Sequence, residues 1–188
     1  MPLDETSQQV ANALRALRHQ HNWSLDRASE ATGVSKAMLG QIERGESSPT
    51  VATLWKIATG FGVSLSSLLE PKPEIPTTTQ LRRVAKLRRN PGGDQMTVAP
   101  LLPFEPGLGF EIFELTIEPG DERHSEPHEA GVTEIVIVAK GKMEVLIDSE
   151  WQTLNEGDAL RFAADKPHGY RNRGRKPAVF YDVIRYSR

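Results

Sequence analysis

The sequence contains no cysteine. That excludes a disulfide scaffold, a Cys-ligated zinc finger, an iron–sulfur cluster and a thiol nucleophile. No apolar run approaches the roughly 18–20 residues of a membrane span, and the opening MPLDETSQQV lacks the apolar stretch of a signal peptide. A soluble, cytoplasmic chain is expected. Net charge is scarce as well: 23 Lys and Arg stand against 25 Asp and Glu, for −2. Taken whole, that balance argues against a nucleic-acid binder, because such domains usually carry a basic face. The balance is uneven along the chain, however. Residues 1–72 are neutral, 73–100 carry +3, and 101–188 carry −5. What is present is ordinary globular composition, 38% apolar and 26% charged over 188 residues, enough for one domain or two.

The first seventy residues read as helices. Val10, Leu14 and Leu17 recur at the spacing of one buried helix face. Ser24 is an N-cap for a helix carrying Leu25, Ala28 and Ala31, and Gly33 stops it at a left-handed position. Ser35 opens the next, with Leu39 and Ile42 inward and Gly45 as its end. Thr50 caps a fourth helix with Leu54, Ile57, Ala58 and Phe61 on one face, closed by Gly60 and Gly62. Ser64 starts a short fifth with Leu65, Leu68 and Leu69. His19 and His21 fall at the surface end of the first helix.

From Pro71 to Pro76 three prolines in six residues, then three threonines, predict an extended linker over 71–80. Beyond it the period changes to two. Residues 110–117, 134–138 and 178–184 read as strands, separated by turn signals at Pro119–Gly120, Lys140–Gly141, Glu156–Gly157 and Arg173–Gly174. Many short strands with regular turns predict a sandwich or barrel. The basic stretch 81–89 reads as an edge strand kept soluble by charge.

Residues 24–45, SLDRASEATGVSKAMLGQIERG, followed by ESSPTVATLWKIA over 46–58, closely resemble the lambda/434-repressor-like (XRE) helix-turn-helix family, with the likeness covering 9–70. The resemblance implies a five-helix DNA-reading domain whose third helix enters the major groove. It places Lys36, Ala37 and Gln41 at base-reading positions. Gln bonds the adenine N6/N7 pair, Lys reaches guanine O6/N7, and Ala touches a thymine methyl. Ser35 at a helix start suits a phosphate, and Arg44, Ser48 and Thr50 are further phosphate contacts. A neutral monomer binds weakly, so two heads are expected on a palindromic operator.

Residues 120–172 resemble the cupins, small β-barrels with two motifs. Gly120, Glu126-Pro127-His128, Glu134 and Gly141 follow the first; Gly157, His168 and Asn172 follow the second. The likeness spans roughly 100–186. It implies a C-terminal barrel of the double-stranded β-helix, or jelly-roll, type, and with the helices a two-domain α + β chain: 1–70 helix-turn-helix, 71–80 linker, 81–188 cupin. The sequence departs from the pattern at Glu126, which replaces the first histidine, and in a gap before Glu134 that is one residue longer. What survives is His128, Glu134 and His168, a set suited to zinc or another first-row divalent ion. Glu126 is a candidate fourth ligand, and His124 lies two positions too early. A metal-free pocket bonding a polar ligand directly stays open. Arg161, Tyr170 and Tyr181 are candidates to touch that ligand.

The reading is a one-component transcriptional regulator and not an enzyme. Its cupin domain would dimerise the chain and bind a small-molecule effector, an amino acid or other small acid. A metal-dependent enzyme fused to a DNA-binding domain and a ligand-independent dimer are the alternatives. Loss of the first histidine weakens the metal centre typical of catalytic cupins, and fold alone assigns no chemistry.

Overall fold

The computed structural model describes residues 5–70, 81–93 and 96–187. The linker expected over 71–80 lies outside them. The chain divides into two compact units, Met1–Leu81 with Pro91–Asp94 and Arg82–Asn90 with Gln95–Arg188.

In the first unit the capping chemistry gives the helices their ends. They are α1 (Glu5–Gln20), α2 (Leu25–Thr32), α3 (Lys36–Glu43), α4 (Val51–Phe61) and α5 (Ser66–Leu69). Ser24, Ser35 and Thr50 each accept a hydrogen bond from a backbone N–H three residues on, at Arg27, Met38 and Thr53. Gly33 ends α2 at φ 66°, a left-handed cap that a side chain would strain. The core is Val10, Leu14, Ala28, Leu39, Ile42, Leu54, Ile57 and Leu68, each nearly inaccessible. Gly60, read from sequence as part of the stop, is instead a contact inside α4; the helix ends at Gly62, φ 63°. A Cβ on Gly60 would lie 2.6 Å from the Ala31 carbonyl oxygen and 2.6 Å from Thr32 Cα, so α4 rests directly on the end of α2.

One ion pair fixes α3 against α1. One guanidinium edge of Arg18, Nε and Nη2, donates to the two Glu43 carboxylate oxygens at 2.6 and 2.9 Å, and Arg15 donates to the Glu43 carbonyl. Glu43 is buried, and the pair holds the Arg18 guanidinium above its ordinary value. Removing one partner of such a pair leaves the other charge unmet, which is why it works as a clamp.

The second unit is two antiparallel sheets. Sheet A runs β1-β2-β9-β4-β7 and sheet B runs β3-β8-β5-β6. The strands are β1 (Thr97–Leu102), β2 (Phe110–Ile117), β3 (Glu122–Ser125), β4 (Thr133–Lys140), β5 (Lys142–Ile147), β6 (Glu150–Asn155), β7 (Ala159–Ala163), β8 (His168–Arg171) and β9 (Ala178–Arg185). All four turn signals fall between strands. Among the described residues pairing stays within each sheet, so the strands make an open sandwich and the ring of hydrogen bonds that would close a barrel is not formed. The inner faces meet over Phe113, Phe180, Val136, Met143 and Val145, with Tyr170 of β8 stacked on Phe180 of β9 at 5.5 Å.

Residues 81–89 correct the edge-strand expectation. Val84–Leu87 forms one helical turn, α6, and only Arg89 bridges to the sheet, at Val98. The sheet edge next to it explains this: β1 carries Pro100, which has no N–H to give to a further ladder. The segment is fastened by side chains instead, with Arg82 donating to the Pro100 carbonyl and Arg88 to Glu114.

The α2–α4 contact generates a stability test. Gly60→Ala forces backbone apart and should cost roughly 1–3 kcal/mol. Gly40→Ala meets only the flexible tip of Arg44, at 3.1 Å, and should be neutral or gain up to about 1 kcal/mol from helix propensity. Denaturant unfolding of the helical unit, followed by far-UV circular dichroism, ranks the two.

Candidate functional site

Helix α3 presents Lys36, Ala37, Met38 and Gln41 to solvent, while Leu39, Gly40, Ile42 and Glu43 are buried. The three residues expected to read bases thus share the exposed side, and Ser35 is exposed at its start. Arg44 closes the helix. Ser48 is exposed and hydrogen-bonded to Ser7, and Thr50 is half-buried as the cap of α4. Lys36 and Arg44 do not stand alone. Lys36 Nζ lies 2.9 Å from Asp26, and Arg44 grips both carboxylate oxygens of Glu46 at 2.8 and 2.7 Å. Sequence reasoning missed both acids: Asp26 lies ten residues from Lys36, which leaves no local pattern, and Glu46, two residues from Arg44, lies beyond the end of α3.

Inside the β unit, His128, Glu134 and His168 offer ligand atoms that all lie within 4.8 Å of one another, and all three are buried. Each comes from a different segment. Glu134 is inward on β4, at an alternation it shares with Val136 and Val138. His168 opens β8, and its Nδ1 donates to the Lys166 carbonyl oxygen at 2.9 Å, which turns Nε2 toward Glu134. His128 sits on the β3–β4 loop, which is tied to the end of β7 by two backbone bonds, His128 N–H to the Ala164 oxygen and Ala164 N–H to the Val132 oxygen.

His128 Nε2 is 2.6 Å from Glu134 Oε1; His168 Nε2 is 3.4 Å from the same oxygen and makes no hydrogen bond. Tyr170 donates its hydroxyl to the other oxygen, Oε2. Burial pushes the Glu134 carboxyl up, but the two imidazoles outweigh it and hold the group well below the carboxylate range. Burial lowers His168, yet Glu134 and the Lys166 carbonyl carry it above its ordinary value. Burial, with the nearby carboxylates, drives the Tyr170 hydroxyl well up, so it remains a donor.

The other expected site residues are placed differently. Glu126 is exposed and outside the cluster, as is His124, which bonds Glu122 at 3.1 Å. β3 ends at Ser125, so the chain has left the strand before it reaches Glu126 and His128. Tyr181 alternates with buried Phe180 and Asp182 and therefore faces the outer side of sheet A. Arg161 of β7 lines a cleft of about 300 Å³ between the β7 edge and the β5–β6 hairpin, with His168 and Phe162 at its wall and Gln152 and Lys166 beside it.

Asp182 was not anticipated. It is buried, its Oδ1 has no hydrogen bond, and burial with Glu134 and Glu111 raises it well above the carboxylate range, so it holds its proton. Glu111 lies on the same inner face and accepts from Tyr186. Strand parity carried the signal: Asp182 lies between inward Phe180 and Ile184, and Glu111 shares the parity of Phe113.

Three ligands of this kind, buried, converging and with one imidazole nitrogen unsatisfied, fit a divalent first-row ion. The Lys166 carbonyl supplies the outer support that a metal-binding imidazole ordinarily has.

Comparison with known proteins agrees with both halves. Residues 14–68 match the family model described as Helix-turn-helix, and residues 113–184 match that of the Cupin domain. The chain is 48% identical over 179 residues to the HTH-type transcriptional regulator SutR of Escherichia coli (strain K12), covering 95% of this chain and 96% of that protein. It is 24% identical over 159 residues to the HTH-type transcriptional regulator PuuR of the same strain, covering 85% of each. A crystal structure of an HTH_3 family transcriptional regulator from Vibrio cholerae superposes with a TM-score of 0.85 at 42% identity, over 97% of this chain and 98% of that one. No helix among the described residues is long and apolar enough to cross a membrane. The chain therefore belongs to the family of HTH-type, DNA-binding transcriptional regulators that carry a cupin domain after the helix-turn-helix.

Proposed function

We propose that this regulator senses a small anionic molecule in its cupin unit, with a divalent ion held by His128, Glu134 and His168. The observation that carries the reading is the buried triad, whose His168 also lines a cleft bordered by Arg161 and by Lys166 paired with Asp148. A bound ion would supply Lewis acidity and a site for an oxygen donor of the effector. The protein's own groups do the rest. Tyr170 fixes Glu134 by a donated hydroxyl, Lys166 orients His168 through its carbonyl, Phe162 packs 5.4 Å from the His168 ring, and Arg161, paired with outward Ile135, would reach the effector's negative charge over the β7 edge. Zinc is the ion the donor set suits best, and an amino acid or other small acid fits the size and charge of the cleft.

The domain arrangement we infer is a reading head over 1–70, a strap over 71–80 and a jelly-roll cupin over 81–188 that dimerises. An isologous contact requires a self-complementary patch. The outer face of sheet A offers one, where Ile112, Ile135, Val183, Tyr181 and exposed Ile137 neighbour each other in register. Pairing two heads compensates for the neutral charge of each. An effector then alters operator binding to the extent that it favours one arrangement of the heads over the other. Two imidazoles and a carboxylate also suit iron-dependent oxygenases; likeness to regulators over the full chain favours sensing here.

Three measurements test this. Zinc affinity, read by competition with a chromophoric chelator, should fall as pH drops from about 8 to about 6, since the ion must displace a proton from the raised His168 while Glu134 stays ionised. His168→Ala should lower that affinity by more than the roughly 10–100-fold that losing a supporting residue costs; full occupancy in the variant removes it from the site. In a thermal-shift screen of small acids and amino acids, Arg161→Ala should abolish the shift given by the acid that binds and leave zinc affinity intact. A cupin unit that takes up neither metal nor acid defeats the sensor. Lys36→Ala with Gln41→Ala should weaken operator binding far more than binding to unrelated duplex, each lost base contact being worth about 1–3 kcal/mol; equal loss of both contradicts α3 as the reading helix.

A further inference from the structure

The acids that pair with Lys36 and Arg44 have a consequence for how this head discriminates among DNA sequences. The pairing extends through the unit: Arg18 with Glu43, Arg27 with Glu30 at 3.2 Å, Lys36 with Asp26, and Arg44 with Glu46. The Arg18 pair is buried and fixed. The pairs at the two ends of α3 are not: Lys36 and Asp26 are 58% and 67% exposed, Arg44 and Glu46 56% and 54%. Exposed ion pairs hold their partners weakly, typically by 0–1 kcal/mol, so a phosphate or a base edge can take the cation. The carboxylate then remains close by, facing the negative duplex.

We propose that Asp26 and Glu46 are built-in counterions of the recognition helix, which suppress binding to non-operator DNA and flatten its dependence on salt. Non-specific affinity arises almost wholly from cations that displace condensed counterions, and each such contact adds about 0.9 to the slope of log affinity against log salt. A lysine already neutralised by its own protein brings no net charge to the duplex. Only a sequence that offers Lys36 a directed acceptor repays the exchange, so the penalty falls mainly on wrong sites. Asp26 and Glu46 act through Lys36 and Arg44 and are positioning residues. The inference rests on the reading of Lys36 and Arg44 as DNA contacts, and its test separates the two.

The full-length protein is titrated with a random-sequence duplex at several salt concentrations, as wild type, Asp26→Asn with Glu46→Gln, and Glu150→Gln. Glu150 lies exposed on β6 of the other unit, and Glu150→Gln removes one charge, the control for each of the two that the amide pair removes. The amide pair is near-isosteric and solvent-facing, so the fold should persist, which circular dichroism checks. Freeing two cations should steepen the salt slope by about two, so that affinity falls roughly tenfold more than in wild type between 50 and 200 mM salt. Affinity at the lower salt should rise, Glu150→Gln should match wild type, and the Asp26→Asn gain should disappear in a Lys36→Ala background. An unchanged slope in the amide variant, with Lys36→Ala still weakening binding to the operator duplex, overturns the counterion role and keeps α3 as the reader. If Lys36→Ala also leaves operator binding unchanged, the recognition-helix assignment falls with it.

Discussion

The second unit is organised around one buried carboxylate. Glu134 stands on the inner face of sheet A, and every group that satisfies it comes from elsewhere: His128 from the β3–β4 loop, His168 and Tyr170 from β8 of sheet B. An isolated ionised carboxylate in such a place costs far more than any single packing contact returns. The chain meets that cost with two imidazoles and a phenol, and the same groups stitch one sheet to the other. What would be a defect in a plain sandwich becomes the reason the sheets keep their register at this end. The neighbouring Asp182 shows the other resolution of the same problem. Burial, with Glu134 and Glu111 nearby, pushes its carboxyl well above the ordinary value and so favours the neutral form.

Much of this was readable from residues alone, and the reason differs between the units. Helix ends in the first unit depend on local chemistry, a hydroxyl accepting from an N–H three residues on or a glycine at positive φ, so Ser24, Gly33, Ser35 and Thr50 could be placed from sequence. His128, Glu134 and His168 were legible as a spaced motif, and the structure brings them together. Tyr181 and Asp182 show the limit. They are adjacent, one faces out and the other in, and a one-residue error of parity exchanges them. Polarity suggested that the tyrosine was the functional one; the pleat put the carboxyl inside. Glu126 lies outside the cluster for a related reason, since motif spacing assumes a continuous strand and β3 ends at Ser125. Residues 81–89 mislead because an edge strand is a property of its neighbour, and Pro100 on that neighbour cannot extend the ladder.

The two units handle charge in opposite ways, and that contrast bears on regulation. At the His128, Glu134 and His168 cluster of the cupin unit the charged groups are buried and face one another, which suits a metal ion that can replace a proton. In the reading head, apart from the Arg18–Glu43 clamp that sets the angle of α3, the ion pairs are exposed and exchangeable. An input that arrives rarely and must be chemically specific suits the first arrangement. An output that must sample many DNA sites and leave most of them suits the second. On the proposed reading, an effector need not reshape α3 for the protein to act as a switch. It would need only to change how two heads of a dimer are presented together, with the energy each head gains on a wrong sequence kept small by its own acids.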